Sequence, residues 1–148
     1  MIEIRTEIDI AATPACVWEI LLDFPAHADW NPFVRSITGT PQVGERLVVS
    51  IQPQGGKAMT FKPKVLAAQP QQELRWLGRF LLPGVFDGEH FFQVQALGAG
   101  STRFVHGERF TGLLVPLAKG SLQGPTKAGF NAMNEALKTR AEAAGPTA

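Results

Sequence analysis

Residues 86–112, FDGEHFFQVQALGAGSTRFVHGERFTG, decide how the rest of the chain is interpreted. Both halves of this stretch alternate in polarity, which is the period-two pattern of a β-strand with two unlike faces. The four residues Gly98-Ala99-Gly100-Ser101 between them have turn chemistry, so we predict a hairpin of strands at about 86–97 and 102–111. One face of the hairpin would carry Phe86, Gly88, His90, Phe92 and Val94 from the first strand and Phe104, His106, Glu108 and Phe110 from the second.

Three polar residues, His90, His106 and Glu108, therefore fall among phenylalanines on the apolar face of the hairpin. Buried polar groups need hydrogen-bond partners, and an ionised carboxylate needs them most. One explanation is that Glu108 pairs with a histidine or with Arg35 inside a packed core. The other is that the three residues line a cavity and present hydrogen bonds to a ligand, with Glu108 acting as a base. A single β-bulge would invert this face assignment.

Strand and helix signals extend outward from the hairpin in both directions. Residues 2–11 alternate as a first strand, and Thr13-Pro14 is a typical start for a helix at about 14–23, which Pro25 ends. Residues 26–32 predict a short irregular helix or turn. The remaining predicted elements are strands at 33–39, 45–52, 57–68 and 73–81, a short helical segment at 114–122, and a long helix at about 126–143 after Gly124-Pro125.

This order predicts an α+β fold, in which a curved seven-stranded antiparallel sheet wraps around the long C-terminal helix and two short helices follow the first strand. The helix must cover the apolar face of the sheet, and strong curvature leaves space between the two. We expect one domain over residues 1–148, with a loose polar tail at 145–148.

The composition is that of an ordinary globular protein. The 148 residues are 45% hydrophobic and 18% charged, and 14 basic and 13 acidic side chains give a net charge of +1. These values argue against a disordered chain and against a nucleic-acid partner. No apolar run approaches the ~18 residues of a membrane-spanning helix. The N-terminus carries charges where a signal peptide needs an apolar core, so we expect a cytoplasmic protein.

Several kinds of chemistry are disfavoured by the residue pattern. The single cysteine, Cys16, excludes an internal disulfide, and the spacing His90-x15-His106-x-Glu108 on two strands is unlike the usual zinc sites. No glycine-rich loop stands before a helix in the manner of a phosphate site. The chain contains no tyrosine, which removes the phenol from the candidate acids. We therefore expect neither a metal ion nor a cofactor.

Taken together, several motifs make the chain similar to the SRPBCC superfamily, the START-like or helix-grip proteins that include polyketide cyclase/dehydrase-like and lipid-transfer members. The resemblance covers nearly the whole chain. Its motifs are Pro14-Ala15-x-Val17-Trp18, Leu22-Asp23-Phe24, Trp30-Asn31-Pro32-Phe33, Gly44-Glu45, Leu74-Arg75-Trp76, Phe86-Asp87-Gly88-Glu89-His90-x-Phe92 and Glu108-Arg109-Phe110-x-Gly112.

The resemblance implies a deep apolar cavity between sheet and C-terminal helix that holds a hydrophobic ligand, but it implies no shared reaction. We expect binding of a lipid-like or polyketide-like small molecule whose polar end meets His90, His106 and Glu108. The residues expected to contact the ligand are Trp30, Phe33, Phe61, Trp76, Phe80, Phe86, Phe92, Phe104, Phe110, Leu114, Phe130 and Met133.

Two alternatives stay open at this point. The first is an enzyme of the cyclase, dehydratase or isomerase type, in which Glu108 with His90 or His106 moves a proton next to a carbonyl. The second is a partner-binding module whose core is closed. Residues 30–32 and 81–86 are candidates for the cavity mouth, and because such apolar rims also form dimer contacts, both a monomer and a homodimer are compatible with the sequence.

Overall fold

The computed structural model describes residues 1–80 and 82–144, so the predicted loose tail at 145–148 lies outside the described residues. The strands run β1 Ile2–Ile10, β2 Val34–Thr38, β3 Val48–Ile51, β4 Met59–Phe61, β5 Lys64–Gln69, β6 Glu73–Arg79, β7 Asp87–Gly98 and β8 Ser101–Thr111. The helices are α1 Pro14–Leu22, α2 His27–Trp30, α3 Lys119–Ser121 and α4 Lys127–Ala143.

The main sheet has five antiparallel strands in the order β1-β8-β7-β6-β5. The predicted hairpin, β7 with β8, lies at its centre. Its register places His90 opposite Glu108 and Phe92 opposite His106, while Thr6 of β1 lies opposite His106 from the other side. The register thereby brings polar residues of three strands side by side on one face.

A second sheet of three strands, β2-β3-β4, corrects the prediction of seven strands in one sheet. The predicted strand at 57–68 is two strands, because Pro63 has no N–H to donate and separates β4 from β5. β4 then pairs with β3, and β5 pairs with β6 of the main sheet. Between the sheets, residues 44–47 bond to residues 63–65 through Gly44 N to Val65 O, Leu47 N to Pro63 O and Val65 N to Glu45 O, at 2.8–2.9 Å.

The helical region after β1 is also more divided than the sequence predicts. Thr13 caps α1 by accepting a hydrogen bond from Cys16 N at 3.1 Å. α1 ends at Leu22, and a 3₁₀ turn over Phe24–Ala26 leads into the four-residue α2. Pro25 therefore ends one helix and opens the next turn.

The break or kink predicted at Gly124-Pro125 is a wide turn, through which the predicted short helical segment at 114–122 continues into α4. A 3₁₀ turn at Val115–Ala118, α3, and a wide π-type turn at Leu122–Thr126 pass directly into α4. Pro125 lies in the wide turn, where the missing N–H is tolerated. α4 packs on the main sheet through its predicted apolar stripe, in which Phe130, Met133, Leu137 and Ala141 are buried. No helix among the described residues is long and apolar enough to cross a bilayer.

Candidate ligand cavity and its polar chain

A cavity of about 620 Å³ lies beside the N-terminal end of α4. Its walls come from the β3–β4 hairpin, from residues on either side of the β6–β7 connection, from the central strands β7 and β8, and from the segment 114–126 that precedes α4. The space between sheet and α4 itself is filled, because the His106 ring stacks on Phe130 with the ring centroids 4.2 Å apart. The cavity thus lies toward the N-terminal end of α4 and not along the whole space between sheet and helix, where the sequence predicts it.

Half of the aromatic and aliphatic residues expected to contact a ligand line this cavity, together with two of the three expected polar residues. The lining residues among them are Phe33, Phe61, Phe80, Phe86, Phe110, Leu114, His90 and Glu108. Glu108 and His90 are the buried polar side chains among the described residues of the lining.

The other expected contact residues do not line the cavity. Trp76 and Phe92 pack around the His90 ring, with centroids 5.2 and 4.7 Å away. Trp30 packs on His27 at 4.9 Å. The remaining four, which are fully buried in the core between the main sheet and α4, are Phe104, His106, Phe130 and Met133.

Several lining residues were not found from the sequence, chiefly in the β3–β4 hairpin and in the segment before α4. A signal for the second group exists, since Leu114, Ala118 and Leu122 follow at intervals of four and so share one side of a helical segment. The hairpin offers no such signal, because β4 has only three residues.

A continuous chain of hydrogen bonds leads from the cavity into the core. Glu108 Oε1 lies 3.0 Å from His90 Nδ1, and His90 Nε2 lies 2.7 Å from His106 Nε2. His106 Nδ1 is 3.0 Å from Asn134 Oδ1 of α4, and Asn134 Nδ2 donates to Thr6 Oγ1 at 2.8 Å. Glu108 therefore pairs with a histidine, as one explanation predicts, and both residues also line a cavity, as the other predicts. Arg35 does not pair with Glu108 but donates to the backbone carbonyls of Asn31 and Ala28.

The inner end of this chain fixes where its protons lie. Thr6 has one hydroxyl proton, which it donates to the His106 carbonyl at 2.8 Å, so its oxygen must accept from the Asn134 amide. Asn134 then presents its oxygen to His106, and His106 carries a proton on Nδ1. Burial, and next the charge of His90, lower the pKa of His106 well below its usual range. His106 is therefore neutral, with a bare Nε2 that accepts from His90 Nε2–H.

The outer end of the chain is left with one proton between two groups. With its Nε2 protonated, His90 faces Glu108 through Nδ1, and a bare nitrogen against a carboxylate would bring two lone pairs together at 3.0 Å. The pair must hold either a charged His90 beside an ionised Glu108 or a neutral His90 beside a protonated Glu108. In both forms the cavity wall carries a movable proton.

The second oxygen of Glu108 is available to a ligand. Glu108 Oε2 has no hydrogen-bond partner among the described residues, while the residue itself lines the cavity. Gly88, on the neighbouring strand, leaves room for this oxygen, since an added Cβ there would collide with Oε2. In the carboxylate form Oε2 can accept a proton from a ligand, and in the protonated form the pair can donate one.

Asn134 and Thr6, which orient the chain, were missed as site residues. Both lie at positions of an apolar pattern, Thr6 among the alternating isoleucines of β1 and Asn134 four residues after Phe130 on the apolar stripe of α4. A polar residue at such a position is the available signal. In the part of the chain that the structure describes, no three His, Cys, Asp or Glu side chains are grouped so that they could hold a metal ion.

Residues 1–142 match the family model for polyketide cyclase/dehydrase and lipid transport. No curated protein matches the chain.

Among solved structures, the ZhuI aromatase/cyclase from Streptomyces sp. R1128 is similar with a TM-score of 0.78 and 19% identity, covering 98% of both chains. A START superfamily protein from Mycobacterium smegmatis has a TM-score of 0.72 and 21% identity, covering 96% of this chain and 98% of that one. The di-domain aromatase/cyclase StfQ from the steffimycin biosynthetic pathway has a TM-score of 0.75 and 12% identity, covering 96% of this chain and 51% of that one. At these identities the likeness is one of fold.

Proposed function

We propose, from the premise that this chain belongs to the polyketide cyclase/dehydrase and lipid transport family, that it binds a hydrophobic or amphipathic small molecule in the 620 Å³ cavity. The observation that carries the proposal is the composition of the cavity wall. Aromatic and aliphatic side chains form most of it, and Glu108 and His90 form one buried polar spot. Such a wall favours a ligand that is apolar over most of its length and has one hydrogen-bonding end.

The size of the cavity agrees with a ligand of this kind. Cavities that bind small organic ligands measure about 300–1,000 Å³, and burial of apolar surface contributes roughly 25 cal/mol per Å². The polar end adds specificity rather than most of the affinity, because a ligand without it would leave Glu108 Oε2 desolvated and unpaired.

Filling the cavity tests the binding proposal. Ala118 lines the cavity, and Ala118→Trp should occupy much of it, whereas Ala99→Trp adds the same side chain at the exposed β7–β8 turn. We expect N-phenyl-1-naphthylamine to bind the natural chain and the Ala99 variant with enhanced fluorescence, and to bind the Ala118 variant at least tenfold more weakly. Equal binding by all three proteins would refute binding in this cavity.

A second candidate function, an enzyme that moves a proton next to a carbonyl, is favoured by the proton held between Glu108 and His90. In the form with charged His90, the free Oε2 of Glu108 can remove a proton from the carbon beside a ligand carbonyl, and the electron pair of that C–H bond moves toward the carbonyl oxygen. The same proton can return to the same carbon or to a neighbouring one.

Exchange of hydrogen for deuterium tests this candidate without knowledge of the natural substrate. The apolar ketone 2-tetralone in D₂O should exchange the hydrogens beside its carbonyl faster with the protein than without it. Glu108→Gln keeps the shape but cannot take the proton, so it should abolish the acceleration. His27→Gln, at a buried histidine outside the cavity lining, should retain it. Acceleration that persists in the Glu108 variant would contradict the assigned role.

A further inference from the structure

We propose that the rim of the cavity is a docking surface for lipid bilayers that contain anionic lipids. The surface consists of Leu82, Leu113 and Leu117 with Lys57, Lys119 and Lys127, and we call it the rim surface. It goes beyond the proposed function, because it concerns the medium from which the cavity is filled and not the molecule that fills it.

Three leucines of the rim surface project into solvent. Leu82, Leu113 and Leu117 are 73%, 82% and 85% exposed, although leucine is a residue that folding normally buries. They come from two loops that bond directly to each other, with Leu113 N donating to Gly84 O at 3.1 Å and Leu114 N to Val85 O at 3.0 Å. Exposed apolar side chains of this kind mark contact sites for a membrane or for a protein partner.

The rim surface borders the cavity opening. Leu114, next to Leu113, and Ala118, next to Leu117, both line the cavity. A hydrophobic ligand that moves between a bilayer and this cavity would cross little water if the rim leucines were inserted.

The exposed charge of the segments around the opening is of one sign, since Glu108 is buried and Asp87 is paired with Arg79. The segments 51–61, 80–86 and 114–126, which supply much of the cavity wall, contain Lys57 and Lys119 and no aspartate or glutamate, and Lys127 follows directly. The whole chain is nearly balanced, with 14 basic and 13 acidic side chains, so its carboxylates are concentrated elsewhere. All three lysines are exposed, and none forms a salt bridge with another of the described residues.

Exposed apolar side chains together with exposed lysines outside any described salt bridge both favour reversible attachment to an anionic bilayer. Each lysine near such a surface strengthens binding about fivefold, and salt weakens the effect. Because the lysines stand beside exposed leucines at the opening of the cavity, the rim surface fits a bilayer better than an acidic protein.

Vesicle co-sedimentation tests the proposal with the full chain. We expect binding to vesicles of phosphatidylcholine with 30% phosphatidylglycerol, weak binding to phosphatidylcholine alone, and release from the mixed vesicles in 0.5 M NaCl. The double variant Leu113→Ser/Leu117→Ser should bind at least tenfold more weakly. Its matched control, Leu66→Ser/Leu97→Ser, changes two exposed leucines on β5 and β7 and should bind like the natural chain.

A second pair of variants tests the charge. Lys57→Glu/Lys119→Glu should lose at least about 25-fold in vesicle binding, on the basis of about fivefold per lysine. Arg5→Glu/Arg140→Glu makes the same change in net charge on exposed residues of β1 and of the far end of α4, and should lose much less. Failure of the natural chain to bind anionic vesicles, or equal losses in the rim and control variants, would overturn the proposal.

Two further outcomes separate this inference from its alternatives. Binding of poly-L-glutamate as tight as vesicle binding, with no effect of the leucine changes on either, would assign the rim surface to an acidic protein partner and overturn the bilayer. Binding of N-phenyl-1-naphthylamine without vesicles should be unchanged in the Leu113/Leu117 variant. If that probe fails to bind the natural chain while vesicles still bind, the cavity proposal fails and the rim surface stands.

Discussion

Two buried histidines of this protein are each held by an asparagine, yet the two regions differ in what lies at the end of the hydrogen-bond chain. In the turn before β2, His27 Nε2 donates to the Leu21 carbonyl at 2.7 Å, and His27 Nδ1 accepts from Asn31 Nδ2 at 3.0 Å. Asn31 Oδ1 in turn accepts from the backbone N–H groups of Phe33 and Val34, both at 2.9 Å. This network begins and ends on the backbone, and every proton in it has one place.

The network of His106 begins in the same way and ends differently. Asn134 and Thr6 fix the inner end, but the outer end reaches the cavity through His90 and Glu108 with one proton for two positions. In this protein the buried histidine whose network closes on the backbone is structural. The other, His106, gains chemistry because its network opens onto the cavity.

The largest expected difference between the two regions is in stability. Asn31→Leu leaves His27 Nδ1 and two backbone N–H groups without partners, and should lower the free energy of unfolding by about 3–5 kcal/mol. Asn134→Leu deprives mainly His106 of a partner, because Thr6 still bonds to the His106 carbonyl, and should cost about 1–3 kcal/mol. Urea unfolding monitored by tryptophan fluorescence measures both, and a larger loss at Asn134 would reverse the comparison.

Acid should destabilise the protein through both histidines. Burial lowers the pKa of His27, against the opposing effects of the Leu21 carbonyl and the charge of Asp23, and burial with the charge of His90 lowers the pKa of His106. Since the unfolded chain then binds more protons than the folded one, stability is greatest above pH 6.5, the ordinary histidine value, and falls as the pH decreases below it.

The expected loss between pH 7.5 and 5.5 is about 1 kcal/mol for His106 and less for His27. The exposed carboxylates Asp9 and Glu142, whose pKa values are lowered by Arg103 and Lys138, respond only below this window. Unfolding in urea at pH 7.5, 6.5 and 5.5 checks the sign, and constant or increasing stability toward pH 5.5 would contradict it. The variant His27→Gln should show a smaller slope than the natural chain.

A smaller effect on stability is expected for an alanine at Gly88, beside the cavity end of the His106 network, when it is compared with an alanine at Gly120. Gly88→Ala places a methyl group against Glu108 Oε2 and should push the carboxylate away from His90, at a cost of about 1–2 kcal/mol. Gly120→Ala meets no atom within 4 Å and lies in α3, so it should be neutral or stabilising by up to about 1 kcal/mol. Thermal unfolding of both variants distinguishes them. Equal unfolding temperatures would show that an added methyl group at Gly88 does not displace the Glu108 carboxylate.

The last prediction concerns protons alone and changes no stability. The hydrogen bonds assign opposite tautomers to the two histidines, with the proton on Nε2 in His27 and on Nδ1 in His106. Long-range ¹H–¹⁵N NMR spectra at pH 7.5 should show these two patterns. The same tautomer in both rings would remove the proton assignment on which the Glu108–His90 pair depends.

Much of the fold and part of the site follow from the sequence, for identifiable reasons. The strict alternation in β7 and β8 predicts both the hairpin and the face that holds His90, His106 and Glu108. This works because successive side chains of a strand point to opposite faces of the sheet. The split at Pro63 was missed, although a proline inside a predicted strand is itself a warning. The displaced position of the cavity could not be predicted, since it depends on how the wide turn at Leu122–Thr126 carries its wall past the end of α4.

The chain of hydrogen bonds from Glu108 to Thr6 can be predicted from the sequence only in part. Thr6 and Asn134 come from opposite ends of the sequence, and only the strand register and the packing of α4 bring them to His106. A pattern can mark each of them as a polar residue in an apolar place, but it cannot indicate their common partner.

The boundary between the two sheets at Pro63 affects which molecules the cavity can hold. One wall of the chamber, the β3–β4 hairpin, belongs to the small sheet, which joins the large sheet between residues 44–47 and 63–65 through three backbone hydrogen bonds. The small sheet is anchored in the core by Val34, Ile37 and Val49, whereas the tip of the hairpin at residues 54–60 is exposed, so we expect the tip to adjust to the guest while the Glu108 end stays on the central strands. For a homologous series of guests that share one head group, we expect affinity to change gradually with chain length instead of dropping at one length.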